Sequence, residues 1–121
     1  MNQRETGTKK EQLAAAYLKQ RGVRILKQNF RGRQGEIDIV GIHQGYLVFV
    51  EVKYRRTHSM GGALEAVTLK KQQKICRTAD FYRCSQGIGD FAPVRYDVVA
   101  IQGEEIRWIK NAFPHRYAGG K

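Results

Sequence analysis

Acidic residues are scarce in this chain. Asp plus Glu number 11 against 22 Lys plus Arg, a formal net charge of +11 over 121 residues. An excess of that size in so small a protein points to a polyanionic partner, nucleic acid before an acidic membrane surface; a basic surface kept for solubility is the alternative. Cysteine is scarce too. Cys76 and Cys84 fall eight residues apart in what reads as one helix, a rise of about 12 Å that no disulfide spans. Neither has Cys or His at metal-ligand spacing, so no zinc site is implied, and two unpaired thiols suit a reducing compartment. The first residues, Met1-Asn2-Gln3-Arg4-Glu5, carry no apolar signal region, and no apolar run approaches a membrane span. The expectation is a cytoplasmic protein with no membrane association.

What is present reads as one domain. An apolar fraction of 41% and a charged fraction of 27% are ordinary for a soluble globular chain, and this length buries about two-thirds of the unfolded surface in a single core. Thr8 is placed to cap a helix over 9–21, with Glu11 three residues on completing a capping-box pattern and Leu13, Ala14, Tyr17 and Leu18 at helical spacing. A short strand is expected over 23–30, then a basic, glycine-rich loop, Arg31-Gly32-Arg33-Gln34-Gly35. Residues 36–43 and 46–54 are β-rich runs around Gln44-Gly45, a hairpin signal weaker than Asn-Gly, so a longer loop or a bulge stays open. A loop over 57–62 and a short helix over 63–66 precede a second long helix, 69–85, capped by Thr68. Strands over 93–101 and 105–109 follow, and the tail from Asn111 is irregular. The expected organisation is a flexible 1–8, an α/β domain with a mixed sheet over 9–113, and a C-terminal tail over 114–121.

Two carboxylates and an amine stand out inside otherwise Val/Ile/Phe-rich strands: Asp38 in Gly35-Glu36-Ile37-Asp38-Ile39-Val40, and Glu51 and Lys53 in Phe49-Val50-Glu51-Val52-Lys53. Such groups are costly to bury without a partner or a metal ion. A two-residue turn pairs His43 with Tyr46, which sets Asp38 opposite Glu51 and Glu36 opposite Lys53. With side chains alternating, Asp38, Glu51 and Lys53 share one face. Two opposed carboxylates repel unless positive charge lies between them, and a divalent ion with Lys53 supplies it. The other face, with Ile37, Ile39, Val48, Val50 and Val52, is apolar and needs a helix over it. Glu-Val-Lys alone is a weak signal; the cross-strand Asp, the buried strands and the basic composition strengthen it.

These residues carry a resemblance. Gly-Glu-Ile-Asp-Ile-Val followed by Val-Phe-Val-Glu-Val-Lys resembles the PD-(D/E)xK nuclease superfamily of restriction endonucleases and archaeal Holliday-junction resolvases, and more narrowly the YraN-like family of small bacterial proteins. Supporting stretches are 11–18, 61–75 and 95–101, so the resemblance covers about 9–113. It implies a restriction-endonuclease-like three-layer α/β/α fold with a central mixed sheet. It implies metal-dependent hydrolysis of DNA, branched or single-stranded, with Mg²⁺ or Mn²⁺ held by Asp38, Glu51 and the Val52 backbone carbonyl, and with Lys53 acting on the attacking water and the phosphate. Ile37 stands where the superfamily has proline, a departure that leaves the metal chemistry intact. Glu11 matches an N-terminal-helix acidic ligand of resolvase-like relatives, with its capping-box role as the alternative. Gln72 and Glu36 are accessory candidates, and Lys53 pairing with Glu36 or Glu51 is the structural alternative to its catalytic role. Relatives that work as dimers leave a homodimer open.

Basic residues cluster where such an enzyme needs them. Arg31 and Arg33 precede the Asp38 strand, Arg55 and Arg56 follow Lys53, and Lys70, Lys71 and Lys74, with Arg77, line the second long helix. They would neutralise phosphates that the carboxylates repel. Asp97 reads as one half of a structural ion pair with an arginine; His43, His58 and His115 read as turn, loop and tail residues. A nucleic-acid-binding module without turnover, and a scaffold whose basic face meets an acidic protein, are the other classes that fit the composition.

Overall fold

The computed structural model describes residues 3–55, 67–89 and 91–116, with side chains from Lys9 onward. Seven elements follow in order: α1 (Gln3–Gln20), β1 (Arg24–Arg31), β2 (Glu36–His43), β3 (Tyr46–Arg55), α2 (Leu69–Ser85), β4 (Val94–Gln102) and β5 (Glu105–Phe113). Gln44 and Gly45 both adopt positive φ, 52° and 85°. Paired left-handed residues match the right-handed strand twist, so a two-residue turn closes the hairpin without a bulge. The register is the expected one, from His43 opposite Tyr46 to Ile39 opposite Val50.

The five strands form one sheet in the order β1-β2-β3-β4-β5. β3 and β4 run parallel from Leu47–Val94 to Arg55–Gln102, and the other three pairs are antiparallel. Parallel neighbours require a crossover, and α2 lies within it. β4 is buried at every position from Arg95 to Ile101, as a central strand covered on both faces must be. On one face Ala14, Ala15 and Leu18 of α1 pack on Ile39, Val48, Val50, Val99 and Ile101. On the other, Ile75, Cys76, Ala79 and Tyr82 of α2 pack on Val40, Leu47, Phe49, Tyr96 and Val98. This is the three-layer α/β/α arrangement of the restriction-endonuclease-like fold. Gly41 lets the sheet close beneath α1, because a Cβ there would meet Val23 Cγ1 at 2.7 Å and the Arg24 carbonyl oxygen at 2.9 Å. No helix among the described residues is long and apolar enough to cross a membrane.

Three expectations need correction. α1 begins at Gln3, so Thr8 lies inside it and Glu11 is not the third residue of a capped helix; Gln3, Arg4 and Glu5 extend an already docked helix at little cost. β5 runs on to Phe113. A register shift between Tyr96 and Val98 keeps it paired, and Phe113 stacks on Tyr96 with ring centroids 5.3 Å apart. Finally, Ile37 and Ile39 do not share a face: Ile37 packs in the α2 layer and Ile39 in the α1 layer. Thr68 caps α2 as expected, its side chain accepting from Lys71 N–H at 3.2 Å. The expected helix over 63–66, the loop with His58, and Arg56 lie outside the described residues.

Candidate metal centre and nucleic-acid interface

The site forms where the β2–β3 hairpin opens. Paired residues stop at Ile39–Val50, and beyond them the Val52 N–H donates to Asp38 Oδ2 at 2.8 Å rather than to a β2 carbonyl. The carboxylate stands in for a ladder partner. Across β2, between the pairs Gln28–Ile39 and Phe30–Ile37, stands Asn29 with φ 55°. Either side of it the layers change: Ile37, with Phe30 opposite, packs under α2, while Ile39 packs under α1. Asn tolerates this conformation better than most residues, and strain of about 1–3 kcal/mol of this kind gathers at functional sites.

Glu11 of α1 reaches the same place, beside Asp38. Ligand oxygens of Glu11, Glu36 and Asp38 all lie within 4.8 Å of one another. Glu51 lines the same pocket, a cavity of about 320 Å³ bounded also by Gly35, Val52, Lys71, Lys74 and Ile75. The Glu51 carboxylate, itself buried, is approached by Lys53 Nζ at 3.1 Å and Lys71 Nζ at 3.4 Å.

This crowding sets the electrostatics. Burial, then the Glu51 charge, push the Asp38 carboxyl up to about 8; Glu11 and Glu36 add to the rise, and the Val52 N–H opposes it. Glu11 is raised as well, by burial and then by Glu36. Burial pushes the Lys53 ammonium down, with Lys71 adding to the fall and Glu51 opposing it. The pocket therefore gathers more carboxylate than it solvates as anions, and Asp38 meets the shortfall by holding its proton well above the usual carboxylate range.

The sequence-predicted residues do not all arrive together. Asp38, Glu51, Val52, Glu11 and Glu36 line the pocket, and Lys53 contacts it through Glu51. Glu36 joins the carboxylate cluster and lies 3.8 Å from Arg31, whereas Lys53 is drawn to Glu51. Gln72 stays outside: its amide donates to the Val67 carbonyl at 2.9 Å and accepts from Arg116 Nε at 3.0 Å, fastening the segment after β5 to α2. Lys71 is engaged by Glu51 rather than lying with the outward basic residues; Lys70 and Lys74 are exposed, as are Arg31 and Arg33, and Arg55 is half-buried. Asn29 had no sequence signal beyond the tolerance of Asn for positive φ.

Asp97 is structural, as expected. Arg95 donates to it twice, at 3.0 and 2.9 Å, and Trp108 Nε1 and the Asn111 N–H donate at 2.8 and 2.9 Å. His43, expected as a turn residue, is buried beside Arg95 Nη2 at 3.0 Å. His115, expected in a loose tail, bonds Tyr96 Oη at 2.7 Å and lies 3.4 Å from Asp80.

Comparison with known proteins places the chain in a family. A family model described as "Uncharacterised protein family UPF0102" matches residues 10–101. A UPF0102 protein of Lachnoclostridium phytofermentans is 50% identical over 113 residues, 93% of this chain and 96% of the relative. One from Legionella pneumophila is 43% identical over 111 residues, 90% and 94% of the two chains, and one from Colwellia psychrerythraea is 40% identical over 114 residues, 90% and 88%. The chain belongs to the uncharacterised protein family UPF0102, the YraN-like proteins of the restriction-endonuclease-like nuclease superfamily.

Proposed function

We propose that this protein is a metal-dependent nuclease of the cytoplasm that binds DNA, branched or single-stranded, and hydrolyses its phosphodiester bonds. The observation that carries the reading is the half-buried pocket in which Glu11, Glu36 and Asp38 crowd within 4.8 Å, with Glu51 and Lys53 at its wall, in a chain of net charge +11. The donor set suits Mg²⁺ or Mn²⁺, since hard oxygen ligands are what these ions take. Asp38, with Glu11 and Glu36 clustered about it and Glu51 and the Val52 carbonyl in the same pocket, would hold one. A bound ion supplies Lewis-acid polarisation of the scissile phosphate and a lowered pKa for a water it carries.

The chain's own groups do the rest. The Val52 N–H fixes the Asp38 carboxylate through Oδ2, and its other oxygen would bind the ion. Glu51 holds the Lys53 ammonium, and a lysine depressed by burial both donates a hydrogen bond to a phosphate oxygen and exchanges a proton with an attacking water. Arg31, Arg33 and Arg55, with Arg56, Lys70 and Lys74, meet flanking phosphates and hold the strand against carboxylates that would repel it.

The test is to incubate the pure protein with branched, single-stranded and duplex DNA, with and without Mg²⁺ or Mn²⁺. Cleavage that needs the ion, falls to background in Asp38→Ala and Lys53→Ala, and leaves binding intact in both supports the enzyme. Binding without cleavage by wild-type protein supports the alternative, a binding module of the same fold. Cleavage persisting in Asp38→Ala contradicts the assignment.

A further inference from the structure

A second cavity, of about 230 Å³, opens beside the carboxylate pocket between the β1–β2 loop and α2, lined by Gly32, Arg33, Gln34, Arg77, Thr78 and Phe81. One turn of α2 separates the two. Lys74 lines the first pocket and Thr78 the second, and the Thr78 hydroxyl donates to the Lys74 carbonyl at 2.9 Å. Gly35, also in the first pocket, abuts both: a Cβ there would lie 3.2 Å from Thr78 Oγ1 and 3.7 Å from Lys74 Cβ. A helical turn is about 5.4 Å, so a ligand bridging the cavities need be no longer than one step of an extended strand.

The lining combines a flat apolar surface with two cations. Phe81 is 54% exposed, yet its ring is backed by Phe30 at 5.9 Å, which meets Tyr82 edge-on at 5.0 Å. Tyr82 in turn meets Phe49 in the core at 5.9 Å. The exposed ring is thus the outer end of an aromatic chain rooted in the fold, a platform that loses little freedom when something lands on it. The loop backbone fits closely beside it, with a Cβ on Gly32 falling 3.4 Å from Phe81 Cδ2. Arg77 is aimed by its bond to Gln34 Oε1 at 3.1 Å, and Arg33 is exposed. An apolar ligand has no use for two guanidinium groups, and an inorganic anion none for the ring. A nucleotide uses both.

We infer that this cavity is a subsite for one unpaired nucleotide of the strand to be cut, its base stacked on Phe81 and its phosphate between Arg77 and Arg33. The inference rests on the nuclease reading and narrows its substrate class. A base inside an intact duplex is already stacked on both faces, so the subsite favours strands with an unpaired nucleotide next to the scissile phosphate.

Fluorescence anisotropy in EDTA tests this without turnover, using a labelled oligothymidylate and an abasic strand of equal length. Wild-type protein is expected to bind the oligothymidylate about tenfold more tightly than the abasic strand. Phe81→Leu, which keeps the apolar contact with Phe30, is expected to bring the two within about twofold by weakening the base-bearing strand alone, and Phe81→Trp to restore the preference. Arg77→Gln should weaken both strands equally. Equal wild-type affinities, a preference that survives Phe81→Leu, equal weakening of both strands by Phe81→Leu, or no binding of either strand would overturn the inference. Metal-dependent cleavage without base preference would overturn the subsite and leave the nuclease standing; base preference without cleavage would do the reverse.

Discussion

Replacing Asp38 with Asn should make the metal-free protein more stable at neutral pH, although the residue is at the centre of the site. The Val52 N–H requires only an oxygen acceptor at Oδ2, which the Asn amide supplies without charge. The Asp38 carboxyl is raised from an ordinary 3.8 to about 8, first by burial and then by Glu51. A raised folded pKa means that this group's stabilising contribution is fully present below about pH 4 and is lost as pH climbs toward 8. At about 1.4 kcal/mol per factor of ten in proton affinity, the ceiling on that loss is about 6 kcal/mol. Partial solvent contact and sharing of the proton with Glu11 and Glu51 reduce the expected gain from Asn to about 2–3 kcal/mol at pH 8, about 10 °C in Tm for a domain of this size. Thermal unfolding in EDTA from pH 4 to pH 8 provides the assay: the Tm difference between Asp38→Asn and wild type should be near zero at the acid end and grow steadily. A difference independent of pH, or a less stable variant at pH 8, would refute the electrostatic account.

The same proton makes metal binding pH-dependent: Mn²⁺ affinity should rise from pH 6 to pH 8 and binding should release a proton from Asp38, read as a dependence of calorimetric heat on buffer ionisation enthalpy. Charge reversal at Arg31, Arg33, Arg55 and Arg56 should weaken DNA binding and flatten its dependence on log salt by about 0.7–0.9 for each phosphate no longer neutralised; an unchanged slope would place the binding face elsewhere. Gly41→Ala forces a Cβ to within 2.7 Å of Val23 and 2.9 Å of the Arg24 carbonyl, and should cost about 2–3 kcal/mol in denaturant titrations. Asp97→Ala strips the buried Arg95 of its carboxylate and should cost about 3–5 kcal/mol by the same assay.

The hairpin was legible because its register depends on one turn, and Gln44-Gly45 has the residues that turn accepts, but that register ends at Ile39–Val50, one residue short of the expected Asp38–Glu51 pair. α2 was equally legible, since Thr68 caps it and its apolar residues repeat at helical spacing. The left-handed Asn29 was not. A single left-handed residue in mid-strand leaves no periodic trace, and neither does the change of layer between Ile37 and Ile39 on the neighbouring strand. The sequence allows Glu11 either a capping or a site role, and only the position of the helix start at Gln3 separates them. Helical phase says which face Gln72 is on but not which partner wins it; Arg116 and the Val67 carbonyl take it away from the site. β5 was cut short because Lys110 and Asn111 break the apolar pattern, while Phe113 is held by a stack on Tyr96 that is visible only in three dimensions.

The central claim is that the crowded carboxylates around Asp38 exist to hold a divalent ion. Anomalous diffraction from crystals of this protein soaked in Mn²⁺ tests it most directly. The account predicts a peak in the pocket bounded by Glu11, Glu36, Asp38 and Glu51, about 2.0–2.2 Å from an Asp38 oxygen, that disappears in Asp38→Asn crystals. An empty pocket at saturating Mn²⁺, or a peak that persists unchanged in Asp38→Asn, would contradict it.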